Sequence, residues 1–456
     1  MLTISRPTES RKALSGHSYR GRARRPVRFA VVVVLVGLLL SSCGRPDVAS
    51  LDRELILIGM DGLEWDVMGP LVESGRLPNF ARIIDEGTWG ELDSLDIPDL
   101  ESPIIWTSIA TGKAPEKHGI WGFLKVGGRA DPATPMTSNS RRVKALWNIL
   151  GDAGRNVGVI DWLVTWPAEE VRGYVVTSYF AFPKTPDRLR DTAGMVYPEA
   201  LYDEIEHFRY VRGELDDATV LEYVNGGKPA DPSLAKTFDV LKVCLELDET
   251  TRATADYLFR ERPTDFSTVY FRGVDGPCHR FWTALFPESG PPISEEEASA
   301  FRDVIPRYYE YMDRVLGELL ELANENTTVM VVSDHGHSGP KLRGDRLAWG
   351  TAMHDPTGVM VLWGRDIAAG RELDSASVLD VAPTVLALYG MPVANDMDGK
   401  VLTEAMTPGF LEAHPIRQID TYEDPGADDR AESREPIESP MDDAVKDRLR
   451  SLGYIE

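Results

Sequence analysis

Five short apolar runs, Leu55 to Gly59, Val157 to Ile160, Tyr174 to Thr177, Ser267 to Phe271 and Thr328 to Val332, are each bounded by polar residues. Each has the length of a buried strand rather than a helix. Helical patterns lie between them, as in Ser140 to Ala153 and Val304 to Ala323. Strands alternating with helices predict an α/β fold, a mostly parallel central sheet flanked by helices. In such sheets the ligand site collects at the carboxyl ends of the strands. Asp61, Asp275 and Asp334 each come just after a strand run, which makes them candidate site residues.

One further apolar run, Phe29 to Leu40, is too short to span a ~30 Å hydrocarbon core as a helix, so a polytopic membrane protein is excluded. Eight basic residues precede it, and the run closes in Leu40-Ser41-Ser42-Cys43-Gly44. Basic region, short apolar core and small residues read as an export signal. The ending resembles a bacterial lipobox, in which the cysteine is lipidated and becomes the mature N-terminus. Residues 1–42 then form a lipoprotein signal peptide, and 43–53 a polar tether from a membrane-anchored Cys43. A plain signal peptide or signal anchor is the alternative. The expected location is the cell envelope, periplasmic or at the cell surface. Cys244 and Cys278 remain available for a disulfide there, but spacing alone cannot pair them.

Beyond residue 42 the chain carries 41 Lys+Arg against 72 Asp+Glu. So acidic a body is a poor nucleic-acid binder, because phosphate backbones are held by Lys and Arg. Residues 54–409 read as one catalytic domain. Within it 183–262 is helix-rich and polar, broken by Gly226-Gly227 and Pro229, and reads as a helical cap insertion. Residues 410–456 read as an acidic, extended tail with a short helix over Asp442 to Leu452.

Four separated fragments carry metal-binding residue types. They are Asp61; Asp275 with His279; Asp334-His335; and His354. Carboxylates mixed with imidazoles suit zinc, or manganese where oxygen donors dominate. A fifth segment, Ser102-Pro103 to Thr111-Gly112, has the pattern of a short helix with Ser at the N-cap, Pro at the first turn and Gly past the end. That puts the Ser102 hydroxyl at a helix N-terminus, where phosphate is favoured. Ser102 is the candidate nucleophile, and Thr107, expected mid-helix, is its rival. His118 and His337 read as structural, Cys278 as a small buried thiol, and Trp162, Trp166 and Trp282 as core or site wall.

Met60-Asp61-Gly62, the segment Trp106 to Ile120, Asp275-x-x-x-His279, Asp334-His335-Gly336 and His354 resemble the alkaline phosphatase superfamily, and within it the type I phosphodiesterase/nucleotide pyrophosphatase branch. The resemblance runs from about Leu55 to about Leu402. It implies two metals, usually zinc, one held by Asp275, His279 and His354, the other by Asp61, Asp334, His335 and the Ser102 hydroxyl. It also implies a covalent phosphoryl intermediate on Ser102, ten residues before Gly112, and a small phosphorylated substrate. Nucleotide pyrophosphatases carry a phosphate-binding Asn where this chain has Trp121-Gly122-Phe123, so nucleotide substrates are not implied. Lys125, Asn139 and Arg141 are the candidates for a replacement contact. With no Arg evidently placed at the site, diesters are expected over monoesters. Phosphonate or sulfate ester hydrolysis and phospho-group transfer remain alternatives within the superfamily, although Ser102-Pro-Ile-Ile lacks the Arg of the sulfatase motif. A non-catalytic metal-binding envelope lipoprotein is the alternative from another class.

Overall fold

The computed structural model describes residues 50–98, 100–125, 134–184, 192–229, 231–290, 292–339, 342–343, 346–347, 353–424, 436–439 and 442–452. Cys43 and the expected signal peptide lie outside the described residues. Among the described residues no helix is long and apolar enough to cross a membrane.

Eleven strands organise the site: β1 (Glu54–Met60), β2 (Thr88–Asp93), β3 (Val157–Ile160), β4 (Gly173–Val176), β5 (Val196–Tyr197), β6 (Phe266–Phe271), β7 (Thr327–Val332), β8 (Gly336–Ser338), β9 (Met353–Asp355), β10 (Thr357–Gly364) and β11 (Arg371–Glu372). Nine of them form one sheet in the order β11-β2-β10-β7-β1-β6-β3-β4-β5. The central five, β7, β1, β6, β3 and β4, are mutually parallel. β10 runs antiparallel to both β7 and β2, and β5 antiparallel to β4.

Period-2 geometry splits each apolar run between two cores. Ile56, Ile58, Met60, Val329 and Val331 face one layer, packed with the helices Pro232–Glu261 and Val304–Leu320. Leu55, Leu57, Met330 and Val332 face the other, packed with the helices Ser102–Thr111 and Val381–Leu388. Both faces are covered, which is why the central strands read as continuous apolar runs.

All five expected strands are present. The expected helix over Ser140 to Ala153 is shorter, Leu146–Asp152, after a 3-10 turn at Ser138–Ser140. Residues 183–262 are helix-rich, but they do not stand apart as a cap. β5 extends the sheet, and buried residues of Pro232–Glu261 join the core beneath it, with Thr251 Oγ1 donating to Asp161 at the end of β3, 2.8 Å away. The body also continues past 409. Gln418–Ile419 pairs with Val393–Ala394, and Glu423 accepts from Lys113 Nζ at 2.9 Å. The terminal helix Asp442–Leu452 forms as expected, but Val445 is buried in the core rather than carried on an extended tail.

Candidate active site

Three adjacent parallel strands deliver the first candidate ligands. Asp61 follows β1, Asp334 and His335 follow β7, and Asp275 opens the helix Asp275–Leu285 after β6. His279 lies one helical turn beyond Asp275, with Nε2 3.1 Å from Asp275 Oδ1. His354 arrives through strand pairing, because β9 runs antiparallel to β8 with His354 opposite His337. The turn at Gly62 has φ 75°, and a Cβ there would lie 2.5 Å from His337 Cε1. Only glycine allows both the turn and the approach.

The structure brings all six Asp and His candidates together. His335 Nε2 lies 3.3 Å from Asp61 Oδ1, 3.6 Å from Asp334 Oδ2 and 3.9 Å from Asp275 Oδ1. His354 Nε2 lies 2.9 Å from His279 Nε2 and 3.7 Å from Asp275 Oδ1. Two donor groups result: Asp275, His279, His337 and His354; and Asp61, Asp275 and His335. Asp275 belongs to both.

His337 is the residue that the sequence reading set aside as structural. Its Nε2 is 3.2 Å from Asp275 Oδ1. The signal was present: His335 and His337 are two apart where the chain turns extended, and period 2 sends both to one side.

The imidazole tautomers are set by the backbone. His335 Nδ1 donates to Gly336 O at 3.0 Å, His337 Nδ1 to Gly62 O at 3.2 Å and His354 Nδ1 to Leu100 O at 2.7 Å. A carbonyl can only accept, so each Nδ1 carries a proton and each Nε2 is turned toward the cluster. This is the arrangement of metal-binding histidines. His118 has the opposite tautomer: Ile120 N donates to its Nδ1 at 3.1 Å, leaving Nε2–H for Ser108 Oγ at 3.0 Å. That is a structural role.

Asp61 Oδ1, Asp275 Oδ2, both Asp334 oxygens, His335 Nε2 and Ser102 Oγ are buried without a hydrogen-bond partner. A folded protein rarely leaves so many polar atoms unmatched in one place. Burial and the Asp61 charge hold the Asp334 carboxyl well above the usual range. Burial opposes a charge on His335, but Asp334, Asp61 and Asp275 outweigh it and raise its pKa to about 10. Burial, with the nearby His335 charge, lowers His354 to about 2. Three buried carboxylates among imidazoles that turn Nε2 toward the cluster fit divalent cations. The mixed N and O donor set suits zinc, or manganese.

The segment of the candidate nucleophile is tied to this cluster from both sides. Leu100, just before Ser102, holds His354. On the helix itself Trp106 Nε1 donates to Asp61 Oδ2 at 3.2 Å, and Tyr270 OH donates to the same oxygen at 2.6 Å. The expectation that Ser102 caps the helix is corrected. Glu101 occupies the cap position, and Ser102 is the first residue of a helix ending at Gly112, which has φ 67°. Its hydroxyl is therefore spared for other work. Thr107 Oγ1 donates to Pro103 O one turn back, at 2.7 Å.

Ser102 lines a cavity of about 70 Å³ whose walls include Phe123, Trp166, Tyr179 and Arg272. Arg272 escaped the sequence reading, which expected no arginine here. It follows β6, three residues before Asp275, and pairs with Asp161 through both terminal nitrogens. Arg141 instead pairs with Glu169 at 2.8 Å, away from this cavity, and Asn139 Oδ1 accepts from Thr137 Oγ1 at 2.5 Å. Cys244 and Cys278 are both buried and neither is in a disulfide. Burial raises the Cys278 thiol well above its usual range, consistent with an inert role.

Residues 55–383 match the family model of type I phosphodiesterase / nucleotide pyrophosphatase. The chain belongs to this family. Family membership makes it a phosphoester hydrolase. Comparison with curated protein sequences gives no significant match. Solved structures similar to this family member include a mutant of alkaline phosphatase PafA, at 15% identity and TM-score 0.46, covering 79% of this chain and 100% of that one. Phosphonoacetate hydrolase from Sinorhizobium meliloti 1021 in complex with phosphonoformate gives 20% identity and TM-score 0.39, covering 64% and 58%. Human ectonucleotide pyrophosphatase / phosphodiesterase 5 gives 12% identity and TM-score 0.44, covering 78% and 100%.

His118 allows a test of the frame behind the Ser102 helix. Burial lowers its pKa to about 3, from an ordinary 6.5. The unfolded chain takes up a proton at this residue below pH 6.5, and the folded chain resists until about pH 3. Stability is therefore lost as pH falls through that window, by at most ~1.4 kcal/mol per pH unit from this group. His118→Asn keeps an acceptor for Ile120 N and removes the titration. Urea unfolding from pH 6.5 to 4.5 should show a shallower decline in the variant than in the parent; equal slopes would contradict the assignment.

Proposed function

We propose that this phosphoester hydrolase cleaves phosphodiesters through a covalent phosphoseryl intermediate on Ser102, with two divalent metal ions, zinc or manganese. The observation that carries the reading is the buried, unpartnered Ser102 hydroxyl on a helix hydrogen-bonded to Asp61 of the ligand cluster. Asp275, His279, His337 and His354 would hold one ion. Asp61, Asp334 and His335, with Asp275 between the two groups and the Ser102 hydroxyl, would hold the other. When bound, the ions supply Lewis acidity that eases deprotonation of the hydroxyl and offsets charge on the phosphoryl oxygens.

The chain's own residues position the reaction. Ser102 starts a ten-residue helix, whose N-terminal dipole favours an anionic phosphoryl group. Ser102 Oγ attacks phosphorus, forming the Oγ–P bond as the bond to the leaving oxygen breaks, and the departing oxygen takes up a proton. Water then attacks phosphorus, the Oγ–P bond breaks and the serine hydroxyl is restored. Trp106 and Tyr270 hold one Asp61 oxygen and leave the other facing His335. Arg272 adds positive charge to the cleft, but Asp161 offsets it. A largely compensated cation among apolar walls suits a singly charged diester better than a doubly charged monoester, so the diester preference stands on new grounds.

Turnover of aryl phosphate diesters, monoesters, phosphonates and sulfates by the metal-loaded protein tests this. Diesters should be fastest, with activity lost to a chelator and restored by zinc or manganese. Faster sulfate turnover, or none on any ester by metal-loaded protein, would contradict the reading. Export and anchoring through Cys43 belong to the same proposal, supported by the lipobox-like ending of the apolar run. An unmodified Cys43 in the N-terminal fragment by mass spectrometry would remove the lipid anchor from the account.

A further inference from the structure

The chain's last described helix reaches the Ser102 cavity. Val445, on Asp442–Leu452, is buried and lines that cavity with Ser102, Trp166, Tyr179 and Arg272. The approach to the helix is fixed to the body, since Ile437 N donates to Thr137 Oγ1 at 3.2 Å. Ser439 and Asp442 then start the helix, with Ser439 N donating to Asp442 Oδ2 at 3.1 Å and Asp442 N to Ser439 O at 3.0 Å. Trp166 and Tyr179, which line the same cavity, stack with ring centroids 5.2 Å apart and planes 8° from parallel. The Tyr179 hydroxyl is buried without a hydrogen-bond partner.

Pockets for drug-sized ligands measure ~300–1,000 Å³. The cavity that these residues line measures about 70 Å³. A space of that size suits a phosphoryl group with a small substituent better than one with a large substituent. We propose that the C-terminal helix is the size filter of the Ser102 cleft, with Val445 the residue that limits the ester substituent, so that compact phosphodiesters are preferred to bulky ones. This rests on reading the Ser102 cleft as the substrate site.

The test compares methyl and phenyl 4-nitrophenyl phosphate, which share a leaving group and differ in the retained substituent. Substituent selectivity of a pocket shifts ~10-fold or more with a change on the scale of a methylene. Val445→Ala should raise the phenyl-to-methyl ratio of kcat/KM by about tenfold, and Val445→Trp should lower it by a similar factor. The same ratio, read as binding of phenylphosphonate against methylphosphonate to metal-loaded Ser102→Ala protein, needs no turnover. A shifted binding ratio, with neither ester hydrolysed by metal-loaded protein that keeps Ser102, would sink the phosphodiesterase reading and keep the size filter. Ratios unchanged in both variants would overturn the filter, whatever the activity. If Val445→Ala fails to fold, Val445→Ile should lower the ratio as Val445→Trp does, and an unchanged ratio in both would overturn the filter.

Discussion

Ser102→Ala should abolish nearly all turnover, by roughly 1,000-fold or more, while the protein folds as before. The two halves of that expectation have separate grounds. The hydroxyl is the nucleophile in the proposed reaction, and no neighbouring side chain replaces it. Structurally it makes no hydrogen bond and caps nothing, since Glu101 holds the cap position. A buried, unpartnered hydroxyl costs ~1–3 kcal/mol. Metal-free Ser102→Ala should therefore be at least as stable as the parent in urea, not weaker as a lost cap would make it. Ser102→Thr keeps a hydroxyl and should retain part of the activity. Thr107→Ala should lose little, because its hydroxyl is spent on Pro103 O within the helix. A dead Thr107→Ala protein beside an active Ser102→Ala protein would move the nucleophile.

The second large effect belongs to Asp275. Its Oδ1 lies within 3.9 Å of Nε2 atoms on four histidines, His279, His335, His337 and His354. Burial opposes its charge, but His279 and His337 hold the carboxylate well below the usual range. One side chain thus serves both donor groups. Asp275→Ala should weaken both metal sites and lower turnover by roughly 1,000-fold. His279→Ala and Asp334→Ala should each empty one site more than the other. Calorimetric titration with zinc distinguishes the patterns. One site lost and one intact in Asp275→Ala would show that the two groups do not share it.

Much of this was legible beforehand, and for a physical reason. The central strands are buried on both faces, so their runs stand out, and acidic residues just past them fall at the strand ends. The outer strands were harder. β2, Thr-Trp-Gly-Glu-Leu-Asp, alternates buried and exposed positions and reads as polar. β10 carries an apolar run, Val359 to Leu362, but Gly358 and Trp363 frame it without a turn signal. His337 was passed over because its place beside His354 depends on β9 pairing with β8, a contact between residues 15 apart or more in the chain. Arg272 was passed over because only the packing of β3 beside β6 shows its pairing with Asp161. The C-terminal helix was found in the sequence, but its burial was not. An acidic helix with few apolar residues gives little sign that Val445 is the one that packs.

The central claim is that the buried carboxylate and imidazole cluster holds two metal ions beside Ser102. Elemental analysis of purified protein, loaded with zinc and freed of excess, tests it most directly. Two zinc ions per chain, falling to fewer in Asp275→Ala protein of unchanged fold, is the expected result. One ion or none in the loaded parent protein would contradict it.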